Sequence, residues 1–217
     1  YSFLFWTASA STTLQLDQTA NWSTRSNPNV STRSYGGVGS DLNNDGNLDI
    51  TVINEDTADV RCYLNQGNDS GEFGPMVNPP SSVNLQASPN EPADFNRDGF
   101  VDLVVCNIAT DTVSVLLGNG DGTFAPQQQI NVGIAPRGVA VLDVDGDGDM
   151  DVVNTNYGSG NLSILLNNGT GVFGAPTFFE GGGAGERSLA TGDMNGDGLL
   201  DLVIGMLNSG EIVVNLN

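Results

Sequence analysis

The 217-residue sequence has no histidine and no lysine; its six cations are Arg25, Arg33, Arg61, Arg97, Arg137 and Arg187. Without imidazole or amine side chains, Ser-His triads, Schiff-base lysines and His-ligated zinc are excluded. Acid–base or covalent catalysis would have to rest on carboxylates, Tyr or Cys. Cysteine is scarce as well: Cys62 and Cys106 are too few for a disulfide framework. Each sits in an apolar run of a different segment. They read either as buried thiols acting as small hydrophobes or as a bridge between neighbouring segments. With no basic patch to release counterions from phosphate, nucleic acid is not an expected partner. No apolar run is long enough to span a membrane.

What the chain does have is acid and glycine. Asp and Glu total 26, for a formal net charge of −20, and there are 29 glycines. Short runs of Val, Ile, Leu and Phe supply core material, while the glycine content argues for many turns and little helix. A single all-β domain fits this length, since sandwiches and barrels of about 200–250 residues are common.

The acid is concentrated in one recurring frame. Asp143-Val-Asp-Gly-Asp-Gly-Asp-Met-Asp151 sets Asp143, Asp145, Asp147 and Asp151 on a nine-residue turn with no cation of its own. A hard divalent ion would offset that repulsion, and calcium accepts six to eight oxygens in a flexible shell. Alternate residues point ligands inward, as in the first half of an EF-hand loop. Gly148 is expected to supply the sharp turn, where a Cβ would obstruct the chain. The backbone carbonyl of Asp149 can then face the ion, and Asp151 closes the shell.

Three other segments share the frame. In the first, Asp41, Asn43, Asp45 and Asp49 are the side-chain ligands and Asn47 the carbonyl ligand. The second has Asp94, Asn96, Asp98 and Asp102 with Phe100; the third has Asp193, Asn195, Asp197 and Asp201 with Leu199. One such loop is a weak signal, because the same residues make ordinary Asx turns. Four in frame, beginning at 41, 94, 143 and 193, form a repeat of about 50 residues. Together the ligand positions hold about half of the acidic residues, so the net charge is largely local and up to four Ca2+ ions are expected.

Each repeat also carries a consistent order of strands. One precedes the loop (34–39, 87–93, 138–142, 188–191) and one follows it (50–54, 103–107, 152–155, 202–206). A polar turn leads to a third (60–64, 113–117, 162–166, 212–216). A Gly-rich turn and an aromatic come next, at Phe73-Gly-Pro, Phe124-Ala-Pro and Phe173-Gly-Ala-Pro, and then an outer strand such as 177–180. Four short antiparallel strands per repeat, with Gly and aromatic punctuation, is the pattern of a propeller blade. The expected fold is an all-β propeller of about four four-stranded blades with calcium loops, plus an N-terminal strand arm. The arm and its Ser/Thr-rich linker cover 1–33, and the blades cover about 34–86, 87–135, 136–185 and 186–217.

On these motifs the sequence resembles the FG-GAP/VCBS repeat family, found in integrin α-chain propellers, some fungal lectins and many secreted bacterial proteins. The resemblance covers roughly 34–217. It implies that the aspartate loop lies between the first two strands of each blade and binds calcium through the ligand sets given above. The second repeat departs from the pattern with Phe124-Ala-Pro, and the fourth reaches Asn217 with neither the aromatic turn nor an outer strand. Family propellers commonly have seven blades; this chain has four at most.

The N-terminal segment stands outside the repeat. Tyr1, Phe3, Leu4, Phe5 and Trp6 make a strand that is apolar on both faces and must be covered on both sides. An incomplete last blade leaves an open sheet edge. One reading is donation of this strand to a neighbouring subunit, which propagates into a filament unless it closes into a ring. The other is an arm folded back on its own domain. The chain opens on Tyr1 rather than Met, which reads as a processed or partial product.

Sequons at Asn21, Asn29, Asn68, Asn161 and Asn168 are candidate glycosylation sites. Weak calcium loops suit a secreted, extracellular or cell-surface setting. The expected function is a non-enzymatic, calcium-stabilised structural or interaction protein, with glycans or other extracellular proteins as partners. A carbohydrate-binding (lectin-like) or adhesion module is the alternative; for sugar binding, Trp22, Tyr157 and Phe178 or Phe179 are the available aromatics. A carboxylate-pair glycosidase is a further alternative, but Glu55, Glu72, Glu91, Glu180, Glu186 and Glu211 follow no motif, and most read as solvated turn residues.

Overall fold

A computed structural model of the chain describes residues 33–67, 71–182 and 185–217. The expected strand of Tyr1, Phe3, Leu4, Phe5 and Trp6 lies outside the described residues, as do Trp22 and the sequons at Asn21, Asn29 and Asn68. Every regular element described is a β-strand.

The strands form four antiparallel sheets in chain order. The first holds β1 (Ser34–Ser40), β2 (Asp49–Asn54), β3 (Asp59–Asn65) and β4 (Phe73–Met76), with the short β5 (Ser81–Ser82) also paired to β3. The second runs β6 (Ala87–Ala93), β7 (Asp102–Asn107), β8 (Thr112–Leu116) and β9 (Gln128–Asn131). The third runs β10 (Pro136–Leu142), β11 (Asp151–Asn156), β12 (Asn161–Leu165) and β13 (Thr177–Phe179). Only three strands of the fourth are described, β14 (Glu186–Gly192), β15 (Asp201–Met206) and β16 (Ile212–Asn215). The strands anticipated from the apolar runs are all present, with ends shifted by a residue or two. The outer strand anticipated at 177–180 ends at Phe179.

The blades pack face to face, and the pleat sends alternate apolar residues of a middle strand into the cores on either side. Leu103 and Val105 of β7 enter a core shared with Ile53 and Val60 of the first blade. Val104 and Cys106, pointing the other way, enter a core shared with Val139 and Val152 of the third. Val153 of β11 then turns to Leu202 and Ile204 of the fourth. β7 and β11 are covered on both sides and buried along their whole length, and the polar residues of β11 are hydrogen-bonded within the core, Asn156 to Ser163 and Thr155 to the Gly138 N–H. Both cysteines are free and buried, one in each of the first two cores, so the buried-thiol reading holds and the bridge does not.

The leading strands stand side by side in order, β1 against β6, β6 against β10 and β10 against β14. No comparable packing joins β14 to β1 among the described residues, so the four blades form an arc. Registers repeat as well. The last residue of each leading strand pairs with the last aspartate of its loop: Ser40 with Asp49, Ala93 with Asp102, Leu142 with Asp151, and Gly192 with Asp201.

Candidate metal centre

Each nine-residue loop joins the first two strands of its blade and is organised by its aspartates. The first aspartate accepts backbone N–H groups from across the turn. Asp41 takes those of Asp45 and Gly46 at 3.1 and 2.9 Å, and Asp94 those of Asp98 and Gly99 at 3.2 and 3.0 Å. Asp143 takes Gly146 and Gly148 at 2.8 and 2.9 Å; Asp193 takes Gly196 and Gly198 at 2.6 and 3.0 Å. The fifth position, at Asp45, Asp98, Asp147 and Asp197, accepts the N–H two residues on, at 2.8 Å in every loop.

The glycine of the sixth position is needed for its backbone and not for space. Gly46, Gly99, Gly148 and Gly198 have φ of 86, 86, 87 and 90°. A Cβ on Gly46, Gly99 or Gly198 would meet nothing within 4 Å, and one on Gly148 would meet only the end of the flexible Arg97 side chain, at 3.3 Å. The expectation that a Cβ would obstruct the chain is therefore corrected: left-handed φ, disfavoured for L side chains, is what selects glycine. The fourth position is left-handed too, with Asn44 at 56° and Arg97 at 60°.

The closing aspartates Asp49, Asp102, Asp151 and Asp201 are completely buried. One oxygen of each accepts the N–H of the loop's second residue (Leu42, Phe95, Val144, Met194) at 2.7–2.9 Å. The other accepts an N–H at or just past the end of the third strand (Asn65, Gly118, Asn167, Asn217) at 2.7–2.9 Å. These residues latch loop, second strand and third strand together. This role was not visible in the sequence, where they read only as ligands. A carboxylate oxygen keeps a second lone pair after one such bond, so the latch is compatible with a metal. Burial pushes the carboxyls of Asp49, Asp102 and Asp151 above their ordinary range, Asp102 to about 6, and neighbouring loop aspartates add to the shift.

At the third position the loops divide. Asn43, Asn96 and Asn195 donate their side-chain amides to Asp45, Asp98 and Asp197 at 3.0, 2.8 and 2.8 Å. Asp145 carries a carboxyl group where the other loops have the amide. In its loop, oxygens of Asp143, Asp145 and Asp151 lie within 4.8 Å of one another, an arrangement of hard donors that fits a calcium ion. The seventh-position side chains pack elsewhere, over the positive-φ glycine of the turn after the third strand: Asn47 over Gly67, Phe100 over Gly120 and Asp149 over Gly169.

The aromatic of the turn motif joins blades. Phe173 meets Phe95 edge-on, with centroids 5.2 Å apart and planes at 81°, and Asn167 donates its amide to the Phe95 carbonyl at 2.7 Å.

A model of the FG-GAP-like repeat matches the chain three times, over residues 41–105, 94–154 and 143–204. The chain belongs to the FG-GAP-like repeat family. No curated protein sequence matches it. Among solved structures, this FG-GAP-like chain is similar to an Agrocybe aegerita lectin described for recognition of non-reducing terminal N-acetylglucosamine. The two are 23% identical with a TM-score of 0.55, over 85% of this chain and 52% of that one. It is similar to BBS1N, solved in complex with ARL6DN, at 11% identity and TM-score 0.54 over 82% and 55% of the two chains. It is also similar to the virginiamycin B lyase from Staphylococcus aureus, at 16% identity and TM-score 0.52 over 86% and 56%. These likenesses establish the propeller fold. The FG-GAP-like chain spans about half the length of these three structures.

Other residues singled out by the sequence fall as follows. Asn168 is exposed and its side-chain oxygen accepts from the Thr170 N–H and hydroxyl, at 3.0 and 2.6 Å. Asn161 is half-buried and accepts from Asn156 and Ser159. Phe178 is exposed, whereas Phe179 packs on the core between the third and fourth blades, and Tyr157 lies 5.7 Å beneath the Arg137 guanidinium. Two glutamates are not the solvated turn residues expected. Glu91 lies in β6, where burial raises its carboxyl, and Glu186 opens β14 wholly buried. No helix of the described residues is long and apolar enough to cross a membrane.

Proposed function

We propose that this chain is an extracellular interaction module whose blades are fastened by calcium and whose role is binding and not catalysis. The observation that carries the reading is the convergence of Asp143, Asp145 and Asp151 oxygens in a loop whose frame recurs in every blade. The remaining ligand sets, headed by Asp41, Asp94 and Asp193, bind by the same frame, with an Asn oxygen at the third position. Up to four ions are expected, each cancelling local acid charge. Isothermal titration with Ca2+ and melting curves in calcium and in EDTA test this. Calcium heat together with a higher melting temperature in calcium supports it; no heat and superimposable melts overturn it.

The partner class follows from charge and fold. A net charge of −20 disfavours nucleic acid, and blade edges and loops suit glycans or other extracellular proteins. Glycan binding is the second reading, favoured by the exposed aromatic faces of Tyr35 and Phe178 and by the lectin among the chain's structural relatives. A glycan array separates it from a purely protein-binding role. Self-assembly through Tyr1, Phe3, Leu4, Phe5 and Trp6 is proposed on sequence grounds alone. Deleting residues 1–10 should abolish any concentration-dependent assembly; assembly unchanged by the deletion removes the idea.

A further inference from the structure

The leading strands carry a second feature, at the end away from the metal loops. Tyr35, Ser88, Arg137 and Arg187 each stand second in β1, β6, β10 and β14, and all four line one cavity of about 480 Å³. The backbones of β10 and β14 approach closely beside these two arginines. A Cβ on Gly138 would lie 2.9 Å from both the Arg187 carbonyl oxygen and the Leu189 nitrogen.

In a chain with 26 acidic residues, arginines should find carboxylates. Arg33, Arg61 and Arg97 do. Arg137 and Arg187 form no ion pair among the described residues. The Nε of Arg137 is buried without an acceptor, although its guanidinium is held over Tyr157. A buried donor left unmatched is costly, and such groups commonly await a ligand or ion. Glu91, the one carboxylate lining the cavity, forms no ion pair with either arginine.

We propose that this cavity is a binding site for a small hydroxylated carboxylate, a terminal uronic sugar, whose carboxylate is held by Arg137 and Arg187. The planar guanidinium fork matches a carboxylate in a bidentate way. The volume lies within the range of small-ligand sites. The exposed ring of Tyr35 offers a face for a pyranose, and the exposed Ser188 offers a hydroxyl to hydrogen-bond it. Two cations suit one anionic group; the strongly acidic remainder of the surface repels a polyanion. The inference is independent of the calcium loops, which leave from the opposite ends of the same strands.

The test is titration calorimetry of the calcium-loaded protein at physiological salt with D-glucuronate, D-glucose and inorganic sulfate. Glucuronate should bind about tenfold more tightly than glucose or sulfate, as expected for a charge-assisted pair plus sugar contacts. Arg187→Gln and Arg137→Gln should each weaken glucuronate by about tenfold. Arg187 is exposed, so its variant carries the result even where R137Q fails to fold. Equal binding of glucose or sulfate, or R187Q binding glucuronate like the parent protein, overturns the proposal.

Discussion

Arg97 Nη2 lies 2.5 Å from Asp149 Oδ1, joining the fourth position of one aspartate loop to the seventh position of the next. It is an ion pair by proximity and not an aligned hydrogen bond, since that oxygen has no donor with hydrogen-bond geometry. Asn44 makes the equivalent reach one blade earlier, donating its amide to the Gly99 carbonyl at 2.9 Å. Asn217 donates to the Asp143 carbonyl at 2.8 Å. The loops are therefore tied to their neighbours by direct polar contacts.

Arg97 places a cation beside the most acidic loop and would compete electrostatically with a metal bound there. Arg97→Gln should raise calcium affinity at that loop a few-fold and slightly lower the stability of the calcium-free protein. The side chain is largely exposed, so the pair is worth less than about 1 kcal/mol. The gain should shrink as salt is raised, because screening weakens both effects. Calcium titrations at low and high ionic strength check it; an affinity indifferent to the substitution at low salt rejects it.

Asp145 and Asp151 should separate ligand from latch. Asp145 accepts one long hydrogen bond, from the Asp147 N–H at 3.3 Å, so Asp145→Ala should remove calcium binding by that loop with little change in the melting temperature in EDTA. Asp151 is fully buried and accepts two backbone N–H groups at 2.8 and 2.9 Å. Asp151→Ala orphans both, at about 1–3 kcal/mol each. Its melting temperature should fall by several degrees or more even in EDTA. Equal EDTA melts for the two variants would contradict this division.

The loops and strands were readable because both are local patterns: an alternation of oxygen-bearing residues, and apolar runs bounded by glycine. What stayed hidden depends on partners far along the chain. Nothing near Asp151 announces that Asn167 supplies one of its donors, nor that Arg97 reaches Asp149. Glu186 reads as a turn residue until β14 is placed and its carboxylate proves wholly buried. The common position of Tyr35, Ser88, Arg137 and Arg187 appears only once the four leading strands are set side by side. Gly148 was placed correctly for an incorrect reason, since sequence spacing marks a turn without distinguishing crowding from handedness.

The buried closing aspartates give the calcium-free protein a distinctive pH dependence. Asp102, raised by burial to about 6, favours the folded state most when protonated. With an ordinary carboxyl near 4 in the unfolded chain, that contribution is complete below about pH 4 and lost as pH rises through about 6. Asp49 and Asp151 are raised for the same reason and act in the same direction. Asp45 and Asp197 are lowered by backbone N–H donors, so their contribution is lost only at lower pH. In EDTA the melting temperature should fall from pH 4 to pH 7, and calcium should flatten the fall by favouring the ionised carboxylates. Asp102→Asn should reduce the slope while changing net charge by one. A melting temperature that climbs over this interval in EDTA would refute the assignment.

Gly169 links the Gly-rich turn to the metal loop and provides the sharpest packing test. Its φ is 77°, and a Cβ there would lie 2.6 Å from Asp149 Oδ2. Gly169→Ala thus imposes a left-handed penalty of about 1 kcal/mol or more and displaces the carboxylate that pairs with Arg97. Gly46→Ala carries the first penalty alone, since nothing lies within 4 Å of its Cβ. Both variants should melt below the parent in EDTA, with G169A the lower of the two. Arg97→Gln added to G169A should then cost less than it does in the parent protein, because the contact is already disturbed. A double-mutant cycle in chemical denaturation measures this directly, and strict additivity would show that Gly169 does not position Asp149 for Arg97.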